Sequence, residues 1–312
     1  MVAHSGKTLG GGLGELRRRL ADANVRRPLW YEVPKSRKAR KAVRRAVRKG
    51  AKVILVWGGD GMVQRCVDAL AGTKNVELAI VPAGTGNLFA THLGIPKDIA
   101  GAVRVGLHGT RRSFDVGVMN GERFAVMAGT GFDAILIRGA DAGGKKRLGR
   151  LAYLRAGLQA TKARAVRTTV RVDGARWFEG VASAVLIGNV GTVTGGFAVF
   201  PDASTDDGAL DVGVVTARSA WQWLRVLSRI ARGRVDRSPF VELTRGKKIV
   251  VKLARKRPYE IDGGVRPAAK RLKVRVKAGA IVLRVPRAAG PARRRVRPAS
   301  SRRRAGSRSP RP

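Results

Sequence analysis

Apolar positions along this chain follow two different rhythms, and the change between them divides the sequence. In the first third, apolar runs alternate with stretches of helical period. Residues 11–27 carry Leu13, Leu16 and Leu20 on one face, which predicts a helix. Residues 28–33, "PLWYEV", predict a strand. Residues 35–49, "KSRKARKAVRRAVRK", predict a basic helix with a thin stripe of Ala39, Ala42, Val43, Ala46 and Val47, closed by Gly50. Residues 52–57 and 76–82 are continuous apolar runs rich in Val and Ile, the signature of strands buried on both faces. Each is followed by a glycine turn and a helix, over about 62–71 and then "LFATHL". A further helix is expected over 98–107. Strands alternating with helices predict a parallel sheet in an α/β domain.

Beyond about residue 112 the pattern shortens. Two strands flank the turn "MNGER" within 113–130, and a helical stretch covers 147–164. Short strands follow at 167–173, 176–189, 209–216, 248–254, 257–262, 271–276 and 280–285, interrupted by one helix at 219–231. This predicts a mainly antiparallel β-sandwich. The expected organisation is residues 1–112 as an α/β nucleotide-binding domain and 113–286 as a β-rich substrate domain. Its last strand is expected to return to the first domain. Residues 287–312 are expected to be a disordered, arginine-rich tail.

Charge changes the picture next. The formal net charge is +43, and the tail's ten arginines account for only part of it, so the excess is spread over the whole chain. Nucleic acid, an anionic membrane surface and a generally basic surface all fit. Aromatic residues are few (5%) and not interleaved with the charges, so stacking on single-stranded nucleic acid is not signalled. Cys66 is the single cysteine, which excludes an internal disulfide and fits a reducing compartment. No apolar run approaches a membrane-spanning length, so the expectation is a cytoplasmic protein that meets membranes peripherally.

The candidate chemistry sits in the two glycine turns, "GGDG" at 58–61 and "AGTGN" at 83–87. Both follow buried parallel strands, and ligands of open α/β sheets bind at strand C-termini. Glycines let an anion approach the backbone, and helix N-termini favour it. Together the turns describe a phosphate cradle. Asp60 would bind a Mg²⁺ ion directly or through water, or orient an acceptor hydroxyl. The alternative is a pair of tight connections with Asp60 as a helix cap. Histidines 4, 92 and 108 are dispersed and signal no metal cluster. Trp221 and Trp223 on the 219–231 helix read as core or as the lining of a lipid pocket.

Four ordered motifs carry a resemblance. "GGDGMVQRCVDAL", "LAIVPAGTGNLFATHLGIP", "FPDASTDDGALDVGVV" and "YEIDGG" resemble the diacylglycerol kinase catalytic family, over roughly residues 2–286. The resemblance implies an α/β domain and a β-rich domain with the active site in the cleft between them. It also implies phosphorylation of a lipid hydroxyl from ATP with Mg²⁺, so ATP, a membrane lipid alcohol such as diacylglycerol and an anionic membrane surface are the expected partners. Carried over, Gly58, Gly59, Asp60, Gly61, Met62, Val63 and Gln64 would contact the nucleotide, with Gly84, Thr85, Gly86 and Asn87 opposite. Ser204 and Ala209 would offer carbonyls, and Asp207 a carboxylate, to a structural Mg²⁺.

The chain also departs from that family. Met62 stands where Thr is usual and Leu88 where Asp is usual. Gly264 replaces the glutamate proposed there as general base, and "VAHSG" at 2–6 replaces an asparagine-proline loop, with the first strand short or missing. Asp262 is then the expected base or metal relay, or else a hairpin-turn aspartate. Two other readings stay open. One is a soluble-substrate kinase of the NAD kinase type, which shares GGDG. The other is a degenerate kinase fold that binds nucleotide, lipid or, through the tail, nucleic acid.

Overall fold

The computed structural model describes residues 1–131, 165–193 and 197–287. The helical stretch expected at 147–164 and the tail beyond 287 lie outside them. The first part is α/β. Strands β1 (Val2–His4), β2 (Tyr31–Val33), β3 (Val53–Gly58) and β4 (Glu77–Pro82) lie side by side in parallel. The first strand is therefore present but only three residues long. Helices α1 (Gly12–Asp22), α2 (Ala39–Arg48), α3 (Asp60–Leu70), α4 (Leu88–His92) and α5 (Ile99–His108) connect and cover them. In α1, Leu16 and Leu20 are buried. In α2, Ala39, Ala42, Val43 and Ala46 of the predicted stripe are buried and Val47 is half-buried, while Arg44, Arg45 and Arg48 are exposed and Arg40 pairs with the buried Asp68.

The second part is antiparallel. Strands β5 (Thr110–Met119), β6 (Glu122–Phe124) and β7 (Met127–Thr130) lead in. β8 (Val166–Val172), β9 (Ala175–Ala182), β10 (Ala184–Gly188), a small β11–β12 pair (Thr192–Val193, Phe197–Ala198) and β13 (Leu210–Val215) follow. Helix α6 (Ala220–Ala231) precedes β14 (Val241–Gly246), β15 (Lys248–Ile261) and β16 (Gly264–Val285). The interior of this sandwich is Met119, Phe124, Val170, Phe178, Ile187, Val212, Ile249 and Leu272, with their neighbours.

Periodicity divided these strands differently from the fold. The apolar run 176–189 is two strands, because it crosses between neighbours at Ser183. The pairs expected at 248–262 and 271–285 are two long strands, since β-bulges carry each past an irregularity without ending it. β16 pairs antiparallel with β15 and β5, and its end at Val282 and Leu283 pairs in parallel with Glu77 and Leu78 of β4. One hydrogen-bonded sheet thus runs from β14 to β2. Glu77, an acid inside a buried strand, is neutralised where the two parts meet. Arg111 donates to it at 2.7 Å, and Arg284 holds its other oxygen.

Candidate functional site

The two glycine turns meet at the C-terminal ends of β3 and β4. A Cβ added to Gly84 would stand 2.4 Å from the Cα of Gly59, so the loops touch backbone to backbone. The glycines at 59 and 84 are thus needed for this contact itself. A Cβ at Gly58 would strike the Met62 side chain at 2.6 Å, whereas at Gly61 nothing lies within 4 Å of one. Gly61 is the open face of the cradle.

Asn87 holds the second turn. It sits in the left-handed region at φ 48°, accepts from the Gly84 N–H at 2.9 Å and donates to the Gly84 carbonyl at 2.6 Å. Asn tolerates that backbone better than most residues, which accounts for its place here. Asp60 opens α3 and turns onto α4: its Oδ1 accepts from the Phe89 N–H at 3.3 Å, and its Oδ2 lies beside Gly86. Burial raises its pKa, while backbone N–H groups of Leu88, Phe89 and Asn87 pull the other way. Position 88, where an acid is missing, therefore still serves the site through its backbone.

The structure separates the predicted nucleotide residues by exposure. Gly59, Asp60, Gly61, Gly84, Thr85, Gly86 and Asn87 line the junction. The side chains of Met62, Val63 and Gln64 are buried behind it. Gln64 is committed inward, donating to the Arg123 carbonyl at 2.7 Å. Cys66, one turn further on, is core, with burial pushing its thiol up to about 12.

Asp262 comes from the opposite side. Asp262-Gly263 forms the two-residue turn between β15 and β16, both with positive φ (43° and 78°), the geometry of a type I′ hairpin. Its carboxylate leaves the turn and accepts three backbone N–H bonds, from Ala125 at 2.8 Å, Val126 at 2.9 Å and Met127 at 3.0 Å. Such bonds favour the charged form, but burial outweighs them, and the charge of Asp60 adds to it. The pKa is pushed up to about 6. Asp262 thus lies near enough to Asp60 to feel its charge, although the two come from different parts of the fold.

Beside them lies a charged cluster that sequence reasoning passed over. Glu122 accepts from Arg65 at 2.8 Å and from Arg266 at 2.6 Å through Nε, and Gln64 approaches it at 3.4 Å. The arginines, led by Arg266, hold its carboxyl below the usual range. A Cβ at Gly264 would lie 2.6 Å from Arg266 Nη1, so a guanidinium stands against the position where the resembled family carries glutamate.

In the loop 202–209, where the Ser204 and Ala209 carbonyls and the Asp207 carboxylate were expected to hold a structural Mg²⁺, the Asp206 and Asp207 carboxylates are already paired. Asp207 accepts from the Ala209 N–H at 3.0 Å and is paired with Arg245. Ser204 donates to Asp206 at 2.6 Å, and Asp206 pairs with Arg112 at 2.7 Å. Ser204 also lines a cleft of about 460 Å³ with His92, Arg112, Phe114 and Arg287. No group of three or more His, Cys, Asp or Glu side chains suited to a metal occurs among the described residues. Of the expected donors, the Asp207 carboxylate is thus engaged by Arg245. The loop is held by Asp115, which accepts from Gly208 N at 2.6 Å and Gly279 N at 2.8 Å. An acid inside the apolar run Phe114–Val118 is the signal that marks Asp115 in the sequence.

An α/β unit sharing a sheet with an antiparallel β-sandwich, with paired glycine turns at the seam, defines the fold class of diacylglycerol and NAD kinases. The diacylglycerol kinase catalytic domain family matches residues 3–119, and the YegS C-terminal NAD kinase beta sandwich-like domain matches residues 126–285. The chain belongs to the diacylglycerol kinase catalytic family. It is 29% identical over 225 residues to the diacylglycerol kinase of Bacillus subtilis (strain 168), covering 71% of this chain and 74% of that one. It is 31% identical over 222 residues to the diacylglycerol kinase of Mycobacterium tuberculosis (strain H37Rv), covering 68% and 71%. A probable lipid kinase YegS-like of Pseudomonas aeruginosa (strain UCBPP-PA14) is 37% identical over 179 residues, 57% of this chain and 59% of that protein, less than two thirds of its length. In fold, the chain resembles a putative diacylglycerol kinase from Bacillus anthracis str. Sterne with TM-score 0.73 at 24% identity, covering 91% and 95%.

Proposed function

We propose that this protein is an ATP- and Mg²⁺-dependent lipid kinase that phosphorylates the hydroxyl of diacylglycerol or a similar membrane lipid alcohol. The observation that carries the reading is the cradle. Two glycine turns touch at the ends of β3 and β4, one face is left open at Gly61, and Asp60 stands at the junction. ATP phosphates would lie against the 59–61 and 84–87 backbones, whose short side chains permit close approach. Bound Mg²⁺ would shield the phosphate charges, and Asp60 is the acid placed to hold it.

In the transfer, the acceptor oxygen bonds to the γ-phosphorus as the β–γ bridging P–O bond breaks, and the hydroxyl proton leaves to a carboxylate. The charge of Asp60 helps to raise the pKa of Asp262. Asp262 is anchored by three amides, while Asp60 faces the cradle. Gly264 supplies no base, but phosphoryl transfer rests mainly on positioning and charge neutralisation.

The test is an acceptor screen with labelled ATP, using diacylglycerol, sphingoid and prenol alcohols in mixed micelles, with NAD as the soluble comparison. Lipid-dependent transfer is expected, falling about 10²-fold or more in Asp60→Asn. Transfer to NAD alone, or to no acceptor, would reject the reading.

A further inference from the structure

Sequence periodicity puts Trp221 and Trp223 on one short helix, and the structure sends them in opposite directions. Trp223 is 2% exposed and packs into the core with Val226 and Ile230. Trp221 is 66% exposed, one of two large apolar side chains so exposed among the described residues. A reciprocal Ser219–Gln222 capping box rigidifies the turn that presents it. Arg225 lies one turn beyond Trp221 on the helix, Arg218 and Arg232 stand at its two ends, and Arg229, Arg234 and Arg237 lie close by in the chain. None of these six pairs with a carboxylate among the described residues, and Asp236 is the single acid between residues 216 and 240. The guanidinium of Arg225 lies 6.0 Å over the Phe240 ring.

We infer that α6 is the surface by which this protein docks on a bilayer carrying anionic headgroups, with Trp221 entering the headgroup layer and the arginines contacting phosphate. An indole with an apolar body and a polar N–H suits that interface, and each nearby arginine adds attraction to an anionic leaflet. A lone Trp beside the half-buried Leu224, with no row of aromatics, fits a lipid surface better than a stacked nucleic acid. The position also fits. α6 packs on β12, β12 pairs with β11, and β11 touches α4, the helix that Asp60 caps. The docking surface rests on the lipid-kinase reading, since it brings the cradle to an acceptor that lives in a membrane.

Co-sedimentation with vesicles, without ATP, reads docking apart from turnover. Vesicles of phosphatidylcholine containing phosphatidylglycerol should bind the protein, and pure phosphatidylcholine should bind it far more weakly. Trp221→Ala should lower binding roughly tenfold, and Arg225→Gln about fivefold. Lys41→Gln, on the basic helix α2, should leave binding unchanged. Brominated acyl chains should quench wild-type fluorescence, and Trp221→Ala should abolish that quenching although four tryptophans remain. Equal losses in Lys41→Gln and Arg225→Gln would overturn the proposal as diffuse charge. So would Trp221 quenching by an oligonucleotide but not by vesicles, or a dimer in solution that Trp221→Ala dissolves. Loss of the kinase reading would appear separately, as no transfer to a short-chain acceptor dispersed in detergent.

Discussion

Replacing Gly84 with alanine tests the idea that the two turns form one cradle. The new Cβ would stand 2.4 Å from Gly59 Cα, 2.9 Å from Asn87 Oδ1 and 3.2 Å from Gly59 N. Two of these three neighbours are backbone, so no side chain can swing away from them. To restore ordinary contact the loops must part by about 1 Å. Overpacking of this kind costs about 1–3 kcal/mol. Gly84 is not in the left-handed region, so alanine recovers about 0.4–1 kcal/mol from the unfolded chain. A net loss of about 1–2 kcal/mol is expected, seen as a lower Tm. The effect on transfer should be larger, because a misplacement of about 1 Å at a reacting centre costs about 10²-fold. Gly61→Ala is the matched control. Its Cβ meets nothing within 4 Å, and alanine suits a helix, so stability should hold or rise by up to about 1 kcal/mol. If phosphate approaches that open face, KM for ATP should nevertheless increase. The assay is thermal unfolding together with kcat/KM for lipid phosphorylation on the same preparations. Wild-type Tm and kcat/KM in Gly84→Ala would refute the argument. So would equal losses of Tm in the two variants.

Asp262 predicts a pH dependence of stability. Its folded pKa, about 6, lies above the ordinary carboxylate value of 3.8. As pH rises from about 4 to about 6, the unfolded chain ionises there while the folded chain keeps the proton, so about 3 kcal/mol of stability present at low pH is lost. Asp262→Asn should remove that slope while adding a constant penalty from the mismatched amides; an unchanged slope in Tm against pH would contradict this. At the 202–209 loop, Arg245 supplies the positive charge that Asp207 needs. Arg245→Met should lower Tm in EDTA, and millimolar Mg²⁺ should restore it in the variant but not raise it in the wild type. Equal Mg²⁺ stabilisation of both proteins would show that the ion does not compete with Arg245.

Much of the α/β part is legible in the sequence, because its signals are local. β3 and β4 are continuous apolar runs, and each is punctuated by glycines that the fold uses within four residues. The pairing of the two turns is legible from their matching topological positions. What could not be read is which glycine serves what, since the Gly59–Gly84 contact depends on two loops meeting across a sheet. The sandwich was harder for the same reason. Val241–Gly246 reads "VELTRG", with too weak an alternation to mark β14, and it is a strand because β13 supplies six partners. Asp262 shows a limit of another kind. A base or metal relay and a hairpin-turn aspartate are opposed readings in sequence; the structure shows the turn and adds a carboxylate held by three backbone amides, which no sequence signal marks.

The long strand β16 has a consequence for how the molecule is made. Its early residues complete the hairpin with β15, and its last residues lie beside β4, encoded some two hundred positions before. Until they arrive, β4 presents an unpaired edge, the kind of surface that seeks other chains. The α/β part therefore cannot close as it leaves the ribosome, although its other strands are all synthesised first. It must wait with one side open for the sandwich to fold and deliver its final strand. Such non-local pairing slows folding and exposes the intermediate to aggregation. A gene cut between the two parts would yield an α/β fragment with its central sheet unfinished rather than an independent nucleotide-binding unit.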